Sequence, residues 1–363
     1  MGARGERPEP VEGRSLSDPS VTGARAVTMT SRELVQRAVN FTGPERLPFD
    51  TPASGPTDVA RVGGGRSSDP RVRQGPDGVY YDHFGCGFAK LNERTMGQPT
   101  DPPLRDLSDL SRYRFPDPAD PSRLGPLAAA LEKAGDKYVA ASVIWFTFFE
   151  RMHFLHGFAA TMEDLYVRPG LLLDLAERIT DYNVAVIDEV ARLYPGRIHA
   201  VSMSDDWGSQ SGPFISLRLF REFFLPHYRR LFASIRGHGM DVWLHSCGQV
   251  MEFIPDLIDA GVQVLNLQQP RIFDLAELGR RFAGAVCFNV PVDIQATMPR
   301  GSLAEIREEA RLLLHHLATE RGGFIANEHT DYVGNGIDPV KGVWAYEAFR
   351  DADPYRRVGQ AGK

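Results

Sequence analysis

The chain has 363 residues, 42% of them hydrophobic, and a formal net charge of −6 with acidic and basic residues interspersed. No basic stripe indicates nucleic-acid binding and no polybasic segment indicates a membrane surface. No apolar run approaches the roughly 20 residues that cross a bilayer, and the N-terminus lacks the apolar core of a signal peptide. The three cysteines are widely spaced and odd in number, which argues against a disulfide framework and favours a reducing cytoplasm.

The two ends of the chain and one internal stretch are poor in large apolar residues. Residues 1–29 are rich in Gly, Pro, Arg and Ser, so we predict a disordered tail there and a short C-terminal tail over 356–363. Order is expected to begin at "TSRELVQRAVN", where Thr30 and Glu33 have the spacing of a capping box. Residues 51–76 contain Gly63 to Gly65 among many Pro, Ser and Arg residues and are predicted to be a loop.

From about residue 137 the hydrophobic pattern alternates between strand-like and helical segments. The strand-like segments are "KYVAASVIWF", "RIHAVSMSDD", "MDVWLHSC", "VQVLNLQ", "AVCFNV" and "GGFIANEH". Segments with apolar residues at helical spacing separate them. This alternation predicts right-handed βαβ units and a parallel sheet.

Two α/β architectures fit such a pattern, an open doubly wound sheet and a closed barrel. No Gly-rich phosphate-binding sequence opens any of the helices, which disfavours the dinucleotide-binding form of the open sheet. Side chains that can act as acids, bases or metal ligands also follow nearly every predicted strand. The active-site rim of a barrel draws such residues from several strand ends. We therefore predict a single (β/α)8 TIM barrel over residues 30–355.

The strongest candidate for a metal site is the segment "MDVWLHSCGQ", which carries His245 and Cys247 at the end of a predicted strand. Residues two apart on an extended strand project to the same face. His329 ends the last predicted strand at the same rim, and three nitrogen or sulfur ligands with one open position are typical of catalytic zinc. The alternative from the residues alone is a histidine bonded to a backbone carbonyl beside an inert buried thiol.

Acidic, amide and aromatic side chains at the other strand ends are candidates for substrate contacts. Asp205 and Asp206 are adjacent, so at most one normally enters the pocket, and we assign Asp205 as the catalytic acid–base group. An aromatic cluster around Glu150 suits a flat, apolar ligand. The predicted substrate-binding residues are Trp145, Glu150, Asp206, Gln210, Gln268 and Asn289.

Several segments together resemble the uroporphyrinogen decarboxylase superfamily. They are "TSRELVQRAVN", "YRFPDP", "DDWGSQSGPFISLRLFREFFLPHYRRLF", "LHSCGQVMEFIPDLIDAGVQVLNLQQP" and "GGFIANEH". The resemblance implies a (β/α)8 barrel. It is nearer to the branch of cobalamin-dependent methyltransferases, in which a His-x-Cys pair and a distant third ligand hold zinc.

The sequence departs from both branches of that superfamily. True uroporphyrinogen decarboxylases carry an Arg-rich segment after the first helix, where this chain offers only Arg61. The thiol methyltransferases supply a late cysteine as the third zinc ligand, whereas here "GFIANEHTDY" offers His329 beside Glu328.

Three functional hypotheses follow. The first is a zinc-assisted methyltransferase, with His245, Cys247 and His329 holding the metal and a separate corrinoid protein supplying cobalamin. The second is a metal-free decarboxylase or lyase that uses Asp205 and His329 as acid–base groups. The third is a ligand-binding barrel without turnover. The expected partners are a small-molecule substrate and, for the first hypothesis, the corrinoid protein, with homodimer formation left open.

Overall fold

The computed structural model describes residues 29–75, 78–90, 97–329 and 331–356. Its strands are β1 (Phe49–Asp50), β2 (Val59–Gly63), β3 (Arg73–Gln74), β4 (Tyr80–Tyr81), β5 (Gly87–Ala89), β6 (Gln98–Asp101), β7 (Tyr138–Ser142), β8 (Ala200–Ser204), β9 (Asp241–His245), β10 (Val264–Asn266), β11 (Cys287–Val290) and β12 (Phe324–Asn327). Residues 1–28 of the predicted disordered tail lie outside the described residues. So does the predicted C-terminal tail after residue 356.

Eight of the strands form one parallel sheet in the order β1-β12-β11-β10-β9-β8-β7-β2. The ends of the sheet meet where the backbone N–H of Asp58 donates to the carbonyl of Phe49 at 2.7 Å. Arg61 of β2 also forms an ion pair with Asp50 of β1 at 2.5 Å. The sheet is thus a nearly closed (β/α)8 barrel, and the predicted fold class is confirmed.

Helices pack around the outside of the barrel. They are α1 (Ser31–Val39), α2 (Pro121–Leu124), α3 (Leu127–Ala134), α4 (Phe149–His156), α5 (Phe158–Val167), α6 (Pro169–Leu193), α7 (Leu217–Leu219), α8 (Leu225–Gly237), α9 (Ile254–Ala260), α10 (Leu275–Phe282), α11 (Thr297–Arg300), α12 (Leu303–Leu317) and α13 (Val340–Asp351). A π-helical turn, Phe220–Phe224, joins α7 to α8, and 3-10 turns occupy Leu107–Ser111 and Pro270–Ile272.

The sequence marks several of these helices clearly. The predicted capping box of Thr30 and Glu33 is present at the start of α1. In α6 the apolar residues at helical spacing, among them Leu175, Ile179 and Val186, are buried against the rest of the core. Burying one apolar face stabilises each such helix far more than its intrinsic propensity does.

The region before β7 differs from the sequence prediction. β2 and β3 lie inside the stretch 51–76, so the loop prediction was wrong for Val59–Gly63, where Val59 and Val62 are buried, and for Arg73–Gln74. Strands β3 to β6 form a separate four-stranded antiparallel sheet that packs on α4 through Phe88 and Phe154 (ring centroids 5.3 Å apart). Short strands flanked by Gly and Pro leave too little periodicity for a sequence prediction. In the described part of the chain, no helix combines the length and apolarity that membrane crossing requires.

Candidate metal centre

Three potential metal ligands converge at the C-terminal rim of the barrel, between β8 and β9. Asp206, His245 and Cys247 each offer a ligand atom, and these atoms all lie within 4.8 Å of one another. The Sγ of Cys247 lies 3.3 Å from Nε2 of His245, and that nitrogen lies 3.4 Å from Oδ1 of Asp206. We call Asp206, His245 and Cys247 the rim group.

Parallel strand pairing places the members of the rim group side by side. Ser204 of β8 is in register with His245 of β9, so the chain after each strand emerges at the same level. The backbone N–H of Cys247 donates to Oδ1 of Asp206 at 2.7 Å. This bond ties the loop after β9 to the loop after β8.

Gly248 makes that close approach possible. Its φ is +84°, and a Cβ at this position would lie 2.0 Å from the carbonyl oxygen of Gly208. Any larger residue would push the two loops apart. A glycine directly after Cys247 is therefore required by the geometry of the rim group.

A hydrogen bond from the neighbouring strand fixes the orientation of the His245 ring. Asn266 ends β10 in register with His245, and its Oδ1 lies 2.7 Å from Nδ1 of His245. Because an amide oxygen only accepts, Nδ1 must donate, and Nε2 is left as the acceptor that faces Cys247 and Asp206. The Trp145 ring lies nearly parallel to the imidazole, at 10° and 6.3 Å between centroids.

Several acidic groups surround the rim group. Burial, followed by the charge of Asp206 and that of Glu150, raises the pKa of the Cys247 thiol. Burial also raises the pKa of Glu150 well above its usual value, with Asp206 and Asp205 adding to the shift. A bound cation would relieve this repulsion and convert the thiol to a thiolate.

Asp205 occupies a different environment from its neighbour. It is fully buried, and its Oδ2 accepts the N–H groups of Phe148 and Phe149 at 2.9 and 3.1 Å. Its Oδ1 accepts the N–H of Glu150 at 2.7 Å, and the hydroxyl of Tyr228 donates to Oδ2. Burial nevertheless raises the pKa of Asp205 to about 6. These contacts favour a structural role at the start of α4, so the assignment of Asp205 as a catalytic group stays a prediction without support from its geometry.

His329 lies outside the rim group as defined by the 4.8 Å separation of ligand atoms among the described residues. Its Nδ1 accepts the backbone N–H of Asp331 at 3.1 Å. With Nδ1 as an acceptor, the neutral imidazole carries its proton on Nε2. Burial lowers the pKa of His329, and His245 is one of the charges that contribute. Glu328 instead turns to the loop after β1, where its Oε1 accepts the N–H of Ala53 at 2.5 Å. His329 as a metal ligand and as an acid–base group stays a prediction.

The other predicted substrate-binding residues are distributed along the barrel axis and rim. Gln268 donates to Oδ1 of Asn266 at 3.1 Å, and Gln210 is exposed in the loop after β8. Trp145 is 38% exposed at the rim. Asn289 is buried deeper, and its Oδ1 accepts from Asn266 at 2.8 Å and from Arg61 at 3.3 Å.

Below the rim group lies a network in which each charge has a partner. Arg61 donates to Asp50 at 2.5 Å and to the hydroxyl of Ser202 at 2.7 Å. We call Asp50, Arg61, Ser202 and Asn289 the floor network. It crosses the barrel interior and holds β1 against β2.

Sequence reasoning did not assign roles to two residues at this site. Asn266 orients His245, and its position opposite His245 can be deduced once β9 and β10 are paired. His153 lies on α4, three residues after Glu150; its Nδ1 is buried without a hydrogen-bond partner among the described residues. Burial lowers the pKa of His153 to about 4, against the opposing charge of Asp206.

Comparison with solved structures finds the same fold in a protein that superposes with a TM-score above 0.5. A methyltransferase from Methanosarcina mazei superposes with a TM-score of 0.63 at 16% sequence identity, covering 89% of this chain and 98% of that one. A GH10 endoxylanase from a sugarcane soil metagenome has a TM-score of 0.39 at 10% identity, over 64% and 83% of the two chains. An intracellular xylanase from Thermoanaerobacterium saccharolyticum has a TM-score of 0.39 at 11% identity, over 69% and 93%.

Comparison of sequences gives the family. No curated protein matches this chain at a significant level. The family model described as uroporphyrinogen decarboxylase (URO-D) matches residues 81–337, well over half of the chain. The chain therefore belongs to the URO-D family.

Proposed function

We propose that the protein is a zinc-assisted methyltransferase that exchanges a methyl group with a corrinoid carried by a separate protein. Asp206, His245 and Cys247 would hold the metal. Compared with the ligand set predicted from sequence, Asp206 takes the place of His329. A fourth ligand position would remain for substrate, as in catalytic zinc sites.

The observation that carries this proposal is the combination of donor chemistry and tautomer in the rim group. Sulfur, imidazole nitrogen and carboxylate oxygen are the three zinc ligand types found in proteins. The 2.7 Å hydrogen bond from Nδ1 of His245 to Asn266 is the kind of outer contact that metal-bound histidines make, because it directs the free nitrogen to the ion. A half-buried thiol, a carboxylate and that nitrogen thus offer three ligand atoms within 4.8 Å of one another.

A zinc ion at this position would lower the pKa of a bound acceptor and make it nucleophilic at neutral pH. The residues of the chain would do the rest. Ser204 donates to Oε2 of Glu150 at 2.5 Å, and the raised pKa of Glu150 leaves this carboxyl able to hold a proton beside the rim group. Trp145, partly exposed, would form one wall for the substrate.

Two further observations support a methyltransferase. The solved structure with the TM-score of 0.63 is itself named a methyltransferase. Exposed aromatic rings also lie near the rim, since Phe158 is 44% exposed and contacts Phe214 at 5.5 Å between centroids. Exposed apolar surface at the barrel mouth suits the docking of a large partner and its flat cofactor.

A metal-free decarboxylase is supported less well. That hypothesis assigns Asp205 as an acid–base group, but its carboxylate is fully buried and accepts four hydrogen bonds, which favours a structural role. The Arg-rich segment with which true uroporphyrinogen decarboxylases hold substrate carboxylates is also missing after the first helix. Arg61, the only arginine that the sequence analysis offered for it, is paired with Asp50.

Metal analysis of the purified protein, followed by a transfer assay with free methylcobalamin, tests the proposal. We expect one zinc per chain and a zinc-dependent loss of the methylcobalamin absorption spectrum in the presence of an acceptor. Cys247→Ala should remove both signals. Full methyl transfer by chelator-treated protein, or carbon dioxide release from a carboxylate substrate by metal-free protein, would contradict it.

A further inference from the structure

A cavity lies at the barrel rim, beside the rim group but separate from it. It has a volume of about 240 Å³ and extends between the loops after β2 and β7, the antiparallel sheet, α2, α4 and α6. Its walls include Gly64, Arg66, His83, Arg123, Trp145 and Arg151. It therefore opens on the side of the barrel where TIM-barrel enzymes place their substrates.

Arg123 is the unusual member of these walls. It is 7% exposed, and its guanidinium donates to the hydroxyl of Tyr182 at 2.6 Å and to the carbonyl of Val143 at 2.7 Å. Within the described residues, no carboxylate oxygen lies within 4.0 Å of its nitrogens. A guanidinium has five N–H groups, so most of its donor capacity is unused.

The nearest acids are engaged elsewhere. Asp120, whose pKa is lowered in part by Arg123, accepts the hydroxyl groups of Ser67 and Ser122, each at 2.5 Å. Asp82 accepts Nη1 of Arg151 at 2.7 Å. Neither carboxylate is free to neutralise Arg123 by contact.

Most of the charged side chains that line the cavity are positive. Arg66, Arg123 and Arg151 lie in its walls with one aspartate among the described residues, Asp82, which is paired with Arg151. Burial and the charges of Arg123 and Arg151 lower the pKa of His83 to about 2, so the imidazole is neutral. The cavity thus has an excess of positive charge, and two of its three arginines, Arg123 and Arg151, are buried, which favours an anion.

We infer that this cavity binds the carboxylate of a small organic acid, with Arg123 as its principal contact. A planar carboxylate matches the donor fork of a guanidinium better than a spherical anion does. The apolar walls, among them Phe84 and Phe146, suit a flat body attached to that carboxylate. Trp145 borders this cavity and also lies parallel to His245. If the proposed function holds, the far end of such a ligand would reach the rim group.

Benzoate, with neutral benzamide as the control of matched shape, tests this inference on chelator-treated protein. Metal-free protein is used so that a carboxylate on zinc cannot mimic the effect. We expect saturable benzoate binding by calorimetry and no comparable binding of benzamide. Benzoate should also raise the pKa of His83, followed by its imidazole proton signals in NMR, because a negative charge then offsets the arginines.

Arg123→Gln should weaken benzoate binding by about 10- to 100-fold, since hydrogen bonds to a charged group are lost. Arg123→Lys, which keeps the charge but not the planar fork, should weaken it less and serves as the variant that preserves folding. Arg66→Gln, at an exposed position, should have the smallest effect.

Equal binding of benzoate and benzamide by the unmodified protein, or unchanged benzoate binding in both Arg123 variants, would overturn the inference. Zinc content separates this result from the proposed function. Arg123→Gln should lose benzoate binding and keep its zinc. Loss of zinc with benzoate binding intact would instead count against the proposed function alone.

Discussion

The floor network and the rim group use similar residues in opposite ways. In the floor network, Arg61 lies between Asp50, Ser202 and Asn289, and donors and acceptors are matched. In the rim group, three potential ligand atoms lie within 4.8 Å of one another, and no described Lys or Arg side chain forms an ion pair with Asp206. A charge paired with its opposite stabilises a barrel interior, whereas a cluster of acidic and metal-ligating groups without a basic side chain is typical of a functional site.

The same contrast separates two adjacent residues. Asp205 is completely buried and accepts three backbone N–H groups. Asp206 keeps its side chain 37% exposed and accepts the N–H of Cys247. Changes in the floor network or at Asp205 should therefore reduce stability, and changes in the rim group should reduce metal binding while leaving stability nearly intact.

The largest effect is expected from Cys247→Ala. The thiolate is the strongest anionic donor of the rim group, so its removal should abolish stoichiometric zinc binding and methyl transfer. Cys287→Ala is the matched control, because Cys287 is fully buried in β11 and away from the rim. That control should keep its zinc and lose only about 1 kcal/mol of unfolding free energy through packing. Zinc loss in Cys287→Ala rather than in Cys247→Ala would contradict the assignment of Cys247 as a metal ligand.

Arg61→Met should lower the free energy of unfolding by about 2 kcal/mol, because it leaves the buried Asp50 carboxylate with only a 3.5 Å contact from the Asn289 amide. Urea unfolding measures this loss. The double variant Asp50→Asn with Arg61→Met should recover part of it, since no isolated charge then remains. An unchanged free energy of unfolding in Arg61→Met would show that the floor network does not stabilise the barrel.

The adjacent aspartates give the sharpest contrast. Asp205→Asn should cost about 2 kcal/mol of stability, since an amide N–H group would face backbone donors, and should keep its zinc. Asp206→Asn should weaken zinc binding by at least about tenfold and leave the urea midpoint unchanged. Metal analysis and a urea unfolding curve measure both effects. If the two variants lose the same amount of zinc affinity and of stability, Asp205 and Asp206 do not have different roles.

Asn266→Ala should weaken zinc binding by about tenfold, because His245 loses the partner that fixes its tautomer. Ser246→Ala is a suitable control. Ser246 lies between the two ligands, and its hydroxyl accepts the N–H of Trp207 at 3.3 Å on the other face. A chelator competition assay should separate the two variants, and an equal loss in both would point to general loosening of the loop.

The pH dependence of zinc affinity should follow the thiol. Burial raises the pKa of Cys247, so the metal-free protein carries this proton through the neutral range and must release it on binding. The apparent affinity should therefore rise by about tenfold for each pH unit between pH 6 and pH 8. A flat profile would indicate that Cys247 is not a ligand.

The barrel was predictable because its buried parallel strands read as apolar runs between amphipathic helices. β1 and β2 were not, since Phe49–Asp50 spans two residues and β2 is set among Gly, Pro and Ser. In these short strands, tertiary pairing with β12 and β7 decides the conformation rather than local pattern.

The candidate site was predictable in part for a similar reason. A spacing of two residues predicted a common face for His245 and Cys247, and the structure places Sγ 3.3 Å from Nε2 although β9 ends at His245 and Cys247 lies in the loop after it. The choice between Asp205 and Asp206 depended on the turn after Ser204, where strand alternation no longer applies. Asn266 needed the register between β9 and β10, which a single sequence does not contain.

X-ray absorption at the zinc edge of the purified protein tests the central claim most directly. We predict one zinc per chain with a sulfur neighbour at about 2.3 Å and nitrogen or oxygen neighbours at about 2.0–2.2 Å. The sulfur contribution should disappear in any residual zinc bound by Cys247→Ser. Protein free of zinc as purified and after reconstitution, or a zinc ion surrounded only by nitrogen and oxygen, would contradict the assignment of the rim group as a metal centre.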